Sequence, residues 1–323
     1  MKFLRFLGYG LLVLMFLLAI GVGYAVWIYR DIPAEQLEAK YAGPASRFMN
    51  IEGVRIHYRD EGQGPVVVLL HANFGNLIGW DPWVEALQDS YRVIRLDMTS
   101  HGLTGPDPTG DYTTQRTLDI VEKFIDAMDV DEFVIAGTSM GGTIAIHYTN
   151  KYPDRIRKLI LLSPGSLEGR DIKSNRRGEV PGAAYVLKYI MPRALPEFML
   201  RGGFGDETKL TDELIDRWYD MWRREGNREA QLDRLSQYKP GNIEEVIQSV
   251  TAPTLLMWGE ENTTAHFEQA AEFQELLENV ESLEFISYPG VGHMAVQEAG
   301  EETGRDVRAF LDGEVDDEAE ETT

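Results

Sequence analysis

The stretch Phe133-Val134-Ile135-Ala136-Gly137-Thr138-Ser139-Met140-Gly141-Gly142 decides the fold. Residues 133–136 form a continuous apolar run, which fits a strand buried on both faces. Residues 143–152, stopped by Pro153, fit a helix. Between them lies a G-x-S-x-G pattern. Alone it is common by chance. Between a buried strand and a helix it is specific, because the sharp turn needs small residues on both sides of the serine. Such a turn lifts the Ser139 hydroxyl above the sheet and aims the first N–H groups of the helix at developing negative charge.

The same alternation continues outward. Residues 48–51 and 54–58 flank Glu52-Gly53, a hairpin signal. Apolar runs at 65–70, 93–96, 158–162, 254–257 and 283–286 read as further strands. Residues 117–128 and 296–311 have helical spacing. Strands alternating with helices predict an α/β fold with a mostly parallel central sheet flanked by helices. Residues 166–250 break the pattern: 85 residues without a clear buried strand. An insertion of this size predicts a helical cap over the carboxyl edge of the sheet, where open α/β sheets bind ligands. No internal repeat is present.

A serine at neutral pH needs a base. His57 lies on an early strand, His147 on the helix behind the nucleophile, and His266 near a helix start. His293 sits in Pro289-Gly290-Val291-Gly292-His293, a loop directly after the strand at 283–286. That position, with glycines that let the ring swing inward, makes His293 the expected general base.

The chain has 323 residues, 53 acids and 31 bases, for a net charge of −22. This balance argues against nucleic acid as a partner. There is no cysteine, which removes disulfides and thiolate chemistry. Residues 312–323 hold seven acids and no base and read as a disordered acidic tail. No dinucleotide fingerprint, P-loop lysine or histidine pair with metal-ligand spacing appears, so no cofactor and no metal are expected.

Residues 6–29 carry no charged side chain. As a helix they span roughly 36 Å at ~1.5 Å per residue, enough for a hydrocarbon core of ~30 Å. A cleaved signal peptide has a shorter apolar region, and Val26, Trp27 and Ile28 continue past the small-residue site around Ala25. The expected organisation is a transmembrane signal anchor at 1–29, a linker at 30–46, a core at 47–165 and 251–311, and a cap at 166–250. Lys2 and Arg5 put the N-terminus in the cytoplasm and the catalytic domain outside it.

Four more segments carry a resemblance. His71-Ala72-Asn73-Phe74-Gly75 is similar to an H-G-x-x-G oxyanion turn. Asp97-Met98-Thr99-Ser100-His101-Gly102-Leu103-Thr104 is similar to a D-x-x-G-x-G-x-[ST] loop. Residues 253–262 are similar to the strand and turn that end in a triad aspartate, and Gly290-Val291-Gly292-His293 to a histidine loop. Over residues 46–311 the chain resembles the α/β-hydrolase superfamily, in particular membrane-anchored bacterial members with a helical cap. The resemblance implies an oxyanion hole from the backbone N–H groups of Asn73 and Met140.

Three positions depart from the family pattern: Ala72 and Ser100 replace glycines, and Asn262 replaces the acid. At the acid of a serine protease, Asp→Asn lowers turnover by about 10⁴, or about 5.5 kcal/mol. Three readings stand. Glu260 or Glu261 supplies the carboxylate from a shifted turn; Asn262 orients His293 through its side-chain oxygen; or the triad is damaged. The nucleophile fits hydrolysis of a carboxylic ester or related acyl substrate. Carbon–carbon bond hydrolysis, acyl transfer, and a membrane-tethered binding protein on a degenerate scaffold are the alternatives. In the cap, Trp218 and Trp222 are candidates for a substrate pocket, and Arg223, Arg224 and Arg228 read as a solvated face.

Overall fold

A computed structural model describes residues 2–165, 180–239 and 241–313. Its centre is an eight-stranded sheet of β1 (Ser46–Ile51), β2 (Val54–Glu61), β3 (Val66–Leu70), β4 (Arg92–Leu96), β5 (Phe133–Thr138), β6 (Ile156–Leu162), β7 (Thr254–Gly259) and β8 (Leu283–Tyr288). The spatial order is β1-β2-β4-β3-β5-β6-β7-β8. β2 runs antiparallel to both of its neighbours, β1 and β4; β3 to β8 pair with one another in parallel. Glu52 (φ 50°) and Gly53 (φ 87°) form the two-residue turn between β1 and β2, the left-handed pair that matches strand twist.

Alternation along the buried strands builds two cores. Val68 and Leu70 of β3, with Ile135 and Leu256, face Phe124 and Ile144 of the helices Thr114–Ala127 and Met140–Lys151. Val67 and Leu69 face the other way, towards Trp83, Val307 and Phe310 of the helices Asp81–Leu87 and Gly300–Asp312. The result is a helix–sheet–helix sandwich whose strand ends carry the loops of the site.

The described part of the insertion is helical: a 3-10 turn at Gly182–Lys188, then helices Ala194–Gly203, Asp212–Trp222, Asn227–Gln237 and Ile243–Gln248. Thr211 caps the second of these by accepting from the Leu214 N–H. Residues 166–179 of the expected cap lie outside the described residues. Ile243, Ile247 and Val250 pack with the sheet's own core rather than with the cap.

Several elements differ from the sequence reading. The stretch 30–46 contains a helix, Ala34–Tyr41, where a linker is expected. Only Leu37 of that helix is buried, against Leu77, Leu103 and Met221, so it leaves no periodic signal. The helix after the nucleophile starts at Met140, three residues early, because its glycines belong to the first turn. The final helix is split at Ala299 into Ala295–Glu298 and Gly300–Asp312. Asp312 is not part of a tail: it ends that helix and accepts from Tyr91 Oη and Arg308 Nε. Residues 314–323 lie outside the described residues.

At the N-terminus, the helix Lys2–Ile28 contains an apolar span, Phe6–Ile28, of 23 residues, whose most apolar window has mean hydropathy 2.5 and no buried residue. It is long and apolar enough to cross a membrane.

Candidate active site

Ser139 follows β5 and precedes the helix Met140–Lys151, with φ 51° and ψ −119°. A side chain in that region costs on the order of 1–3 kcal/mol, and such strain is typical of functional turns. The flanking glycines make the turn possible by close approach. A Cβ on Gly141 would stand 2.1 Å from the Leu70 carbonyl oxygen, and one on Gly137 2.3 Å from the Gly141 carbonyl. The helix is thereby driven against β3 and β5, and the half-buried Ser139 stays open to the cavity above.

Met140 is the first residue of the helix, so its N–H has no partner within it. Opposite stands the turn after β3. There His71 is buried with both ring nitrogens engaged: Nδ1–H donates to Ala72 O at 2.7 Å, and Nε2 accepts from Met98 N–H at 2.9 Å. Burial pushes this ring down from its ordinary value, towards the neutral form that the bonds require. The ring pins the segment that presents Asn73. Ala72 lies outside the left-handed region, so its Cβ carries no backbone cost. Asn73, Ser139, Met140 and His293 all line one cavity of about 410 Å³.

His293 is buried on the loop after β8. Gly259 and Gly292 bring that loop close: a Cβ on Gly259 would meet Gly292 O at 2.3 Å, and one on Gly292 would meet Gly203 O of the cap at 2.5 Å. Glu298, absent from the sequence reading, secures the loop. Its Oε2 accepts from Gly292 N–H (2.8 Å) and Gly205 N–H (3.1 Å), and its Oε1 from Asp206 N–H (2.6 Å). One buried carboxylate thus ties the histidine loop to the cap. An acid beside apolar Ala295 and Val296 was the available signal.

The side chain that meets the His293 ring is Asn262. Its Nδ2 lies 3.0 Å from His293 Nδ1. Its Oδ1 accepts from Thr264 N–H (3.0 Å) and Ala265 N–H (2.9 Å). The expectation that Asn262 orients the ring through its oxygen is therefore corrected: the oxygen is held by two backbone donors, and the nitrogen faces the ring. Glu260 and Glu261 are exposed, and Glu260 accepts from Ser287 Oγ at 2.8 Å. The shifted-turn carboxylate is likewise absent from the ring's hydrogen bonds among the described residues. Burial pushes His293 down to about 4.

A complete serine–histidine–carboxylate chain does occur, in another place. His57 Nδ1 bonds Asp97 Oδ2 at 2.7 Å, and its Nε2 lies 2.8 Å from Ser46 Oγ. Burial alone raises Asp97, but the facing His57, together with its other neighbours and the Leu77 N–H, outweighs it and holds the carboxyl at about 2. Asp97 also accepts from Leu77 and Leu103 N–H groups. It braces two loops, and none of this group lines the Ser139 cavity.

Ser100 has φ 70°, the conformation for which glycine is favoured. Its Oγ accepts from Arg234 Nε at 2.8 Å. Arg234 also donates to Thr117 Oγ1, Thr99 O and Thr99 Oγ1. This guanidinium lines the cavity, is fully buried, and is lowered to about 10 by desolvation. Ser100 is thus part of a cap-to-core link and not a sign of decay. Trp218 lines the Ser139 cavity. Trp222 lines a neighbouring one and donates to Phe74 O at 3.1 Å. Arg224 and Arg228 are buried, which corrects their reading as a solvated face. No group of three or more metal-ligating side chains occurs among the described residues.

Comparison with known proteins identifies the fold family. A family model described as the alpha/beta hydrolase fold matches residues 65–299. The chain belongs to the α/β-hydrolase family. Among this hydrolase's relatives is the 2-hydroxy-6-oxo-6-(2'-aminophenyl)hexa-2,4-dienoic acid hydrolase of Metapseudomonas resinovorans, 27% identical, with 88% of this chain and 97% of the relative covered. A serine hydrolase involved in carbazole degradation superposes with TM-score 0.69 at 25% identity, covering 83% of this chain and 98% of its own. A membrane phospholipase A superposes with TM-score 0.71 at 23% identity, covering 95% and 98%; likeness at that level shows the fold.

Proposed function

We propose that this hydrolase cleaves carboxylic esters of apolar acids through an acyl-enzyme on Ser139. The observation that carries the reading is that Ser139, on a strained elbow, lines one largely apolar cavity together with His293, Asn73 and Met140. In the reaction Ser139 Oγ attacks the ester carbonyl while its proton passes to His293 Nε2. The Asn73 and Met140 N–H groups receive the oxyanion. His293 returns the proton to the leaving alkoxide, which departs as the alcohol. Water, deprotonated by the same ring, then releases the acid and restores Ser139.

Asn262 makes this slow. An Nδ2–H donated to His293 Nδ1 selects the Nε2–H tautomer. That ring donates towards the serine and cannot take its proton. The working tautomer carries Nδ1–H and would face the amide N–H₂, donor against donor. It also lacks a negative charge to balance the imidazolium.

Some relatives are named as hydrolases of dienoic acids. Among the described residues, such an acid would find one guanidinium lining the cavity, Arg234, whose N–H groups already serve Ser100, Thr117 and Thr99. The apolar lining favours the ester. We further read residues 6–28 as an uncleaved anchor with the N-terminus in the cytoplasm and the catalytic domain outside it.

The test is intact-mass labelling by a fluorophosphonate, beside Ser139→Ala. A single adduct lost in the variant supports an activated serine. No adduct on the folded protein favours a tethered binding protein on this scaffold. Hydrolysis of a dienoic acid in preference to esters would favour the carbon–carbon reaction.

A further inference from the structure

The end of the membrane helix is fastened to the cap. Arg223 Nη2 donates to Ile28 O (3.2 Å), the last carbonyl of the helix, and to Arg30 O (2.7 Å) just beyond it. Ile32 N–H donates to Arg223 O at 2.7 Å, and Glu225 N–H to Ile32 O at 2.9 Å. Asp31 pairs with Arg228 at 2.6 Å. The cap therefore has a set height relative to the helix.

That height is readable. Val26, in the last turn of the helix, lines the same recess as Lys188 and Tyr189. The 3-10 turn Gly182–Lys188 thus sits where the helix leaves the hydrocarbon. Tyr24 and Trp27 stack at the same level, with the Arg30 guanidinium over the Trp27 ring, an interfacial arrangement. Side chains on the turn and directly after it are open: Val186 is 55% and Tyr189 60% exposed.

The other face of this turn lines a chamber. Ala184 and Leu187, with Met191 and Leu195, border a cavity of about 490 Å³. It shares Phe74, Met199 and Leu235 with the cavity above Ser139. One short element thus separates the level of the membrane surface from an apolar room adjoining the nucleophile.

We propose that the substrate is a membrane-resident acyl ester that enters from the bilayer beside Tyr189 and lodges its chain in this chamber. The chemistry rests on the ester reading above; the entry route does not. The occupant is set by continuity: the same turn touches the end of the spanning helix and walls the chamber. Water-soluble esters would have no need of the exposed apolar face.

Two measurements on the full chain in phosphatidylcholine vesicles test this. The chain has no cysteine, so Val186→Cys takes a single fluorophore. Quenching of that label by chain-brominated lipid is the expected result, and no quenching overturns the proposal. The variant Val186→Asp/Tyr189→Asp should lose at least roughly tenfold in hydrolysis of a long-chain ester held in the vesicles, since charge is disfavoured at that depth. Its rate on p-nitrophenyl butyrate in solution should stay unchanged. Equal loss on both esters, or no loss on either, overturns the proposal. If the parent protein hydrolyses neither ester, the ester reading fails, and the label alone decides the entry route: quenching retains it and silence overturns it.

Discussion

Asn262 presents its amide nitrogen, not its oxygen, to Nδ1 of His293, 3.0 Å away. The orientation is not a matter of choice between two similar ends. Turning the amide over would aim two N–H groups at the Thr264 and Ala265 N–H donors that its oxygen now accepts. A carboxylate at this place would satisfy all three donors, two from the backbone and one from the ring. Asparagine keeps the backbone pair and inverts the third.

Asn262→Asp is therefore expected to restore the Nδ1–H tautomer and raise kcat by about 10²–10⁴, the scale of the reverse change in a serine protease. The measurement is kcat on p-nitrophenyl butyrate, with Ser139→Ala as the blank. An unchanged or lower kcat in a folded variant would show that His293 is not limited by its partner.

Burial holds His293 at about 4 against an ordinary value of 6.5. In the unfolded chain the ring protonates first, so between pH 6.5 and 4 the unfolded state binds the extra proton. Stability then falls as pH drops through this window and is unaffected above it. The full effect is on the order of 3 kcal/mol. His293→Gln should lose less stability than the parent between pH 7 and pH 4.5 in urea unfolding. Activity should persist to about pH 4 on its acid side, and Asn262→Asp should move that limb upward, because a carboxylate favours the imidazolium. Parallel urea titrations of the two proteins would contradict the assignment.

The parts of this molecule that were legible in the sequence are those set by local necessity. Gly137 and Gly141 surround Ser139 because no Cβ fits there, and the run at 65–70 is apolar because both faces of β3 are covered. His293 was placed by its position after a strand. What was not legible depends on atoms far apart in the chain. Which end of Asn262 meets the ring is decided by the backbone of 264 and 265. Ser100 makes sense only with Arg234, 134 residues away. Glu298 reads as an ordinary helix acid until the cap's Gly205 and Asp206 arrive above it. Arg223 and Arg228 read as solvated because partners of both lie in the segment 28–32, nearly 200 residues earlier.

Ser100 offsets its backbone strain through Arg234. Ser100→Gly relieves a left-handed conformation worth roughly 1 kcal/mol but removes a bond to a buried charge worth about 1.5–3 kcal/mol. Ser100→Ala keeps the strain and loses the bond. The alanine variant should thus be the less stable of the two by about 1 kcal/mol, and both should fall below the parent. Equal midpoints for the two variants in urea unfolding would mean that the φ of 70° carries no cost.

Glu298 joins the His293 loop to the cap through three backbone N–H groups. Glu298→Gln keeps one oxygen for Gly205 and Gly292 and turns an N–H₂ towards the Asp206 N–H. A buried donor facing a donor costs about 1–3 kcal/mol, which for a domain of this size lowers Tm by several degrees. The strain falls on the segment that carries His293, so fluorophosphonate labelling of Ser139 should slow as well. Glu298→Ala leaves all three N–H groups unmet and should be worse on both counts. If Glu298→Gln melts with the parent yet labels more slowly, the carboxylate acts on the histidine by its charge. If it melts lower and labels at the parent rate, Glu298 is a brace for the cap and not a positioning residue for His293.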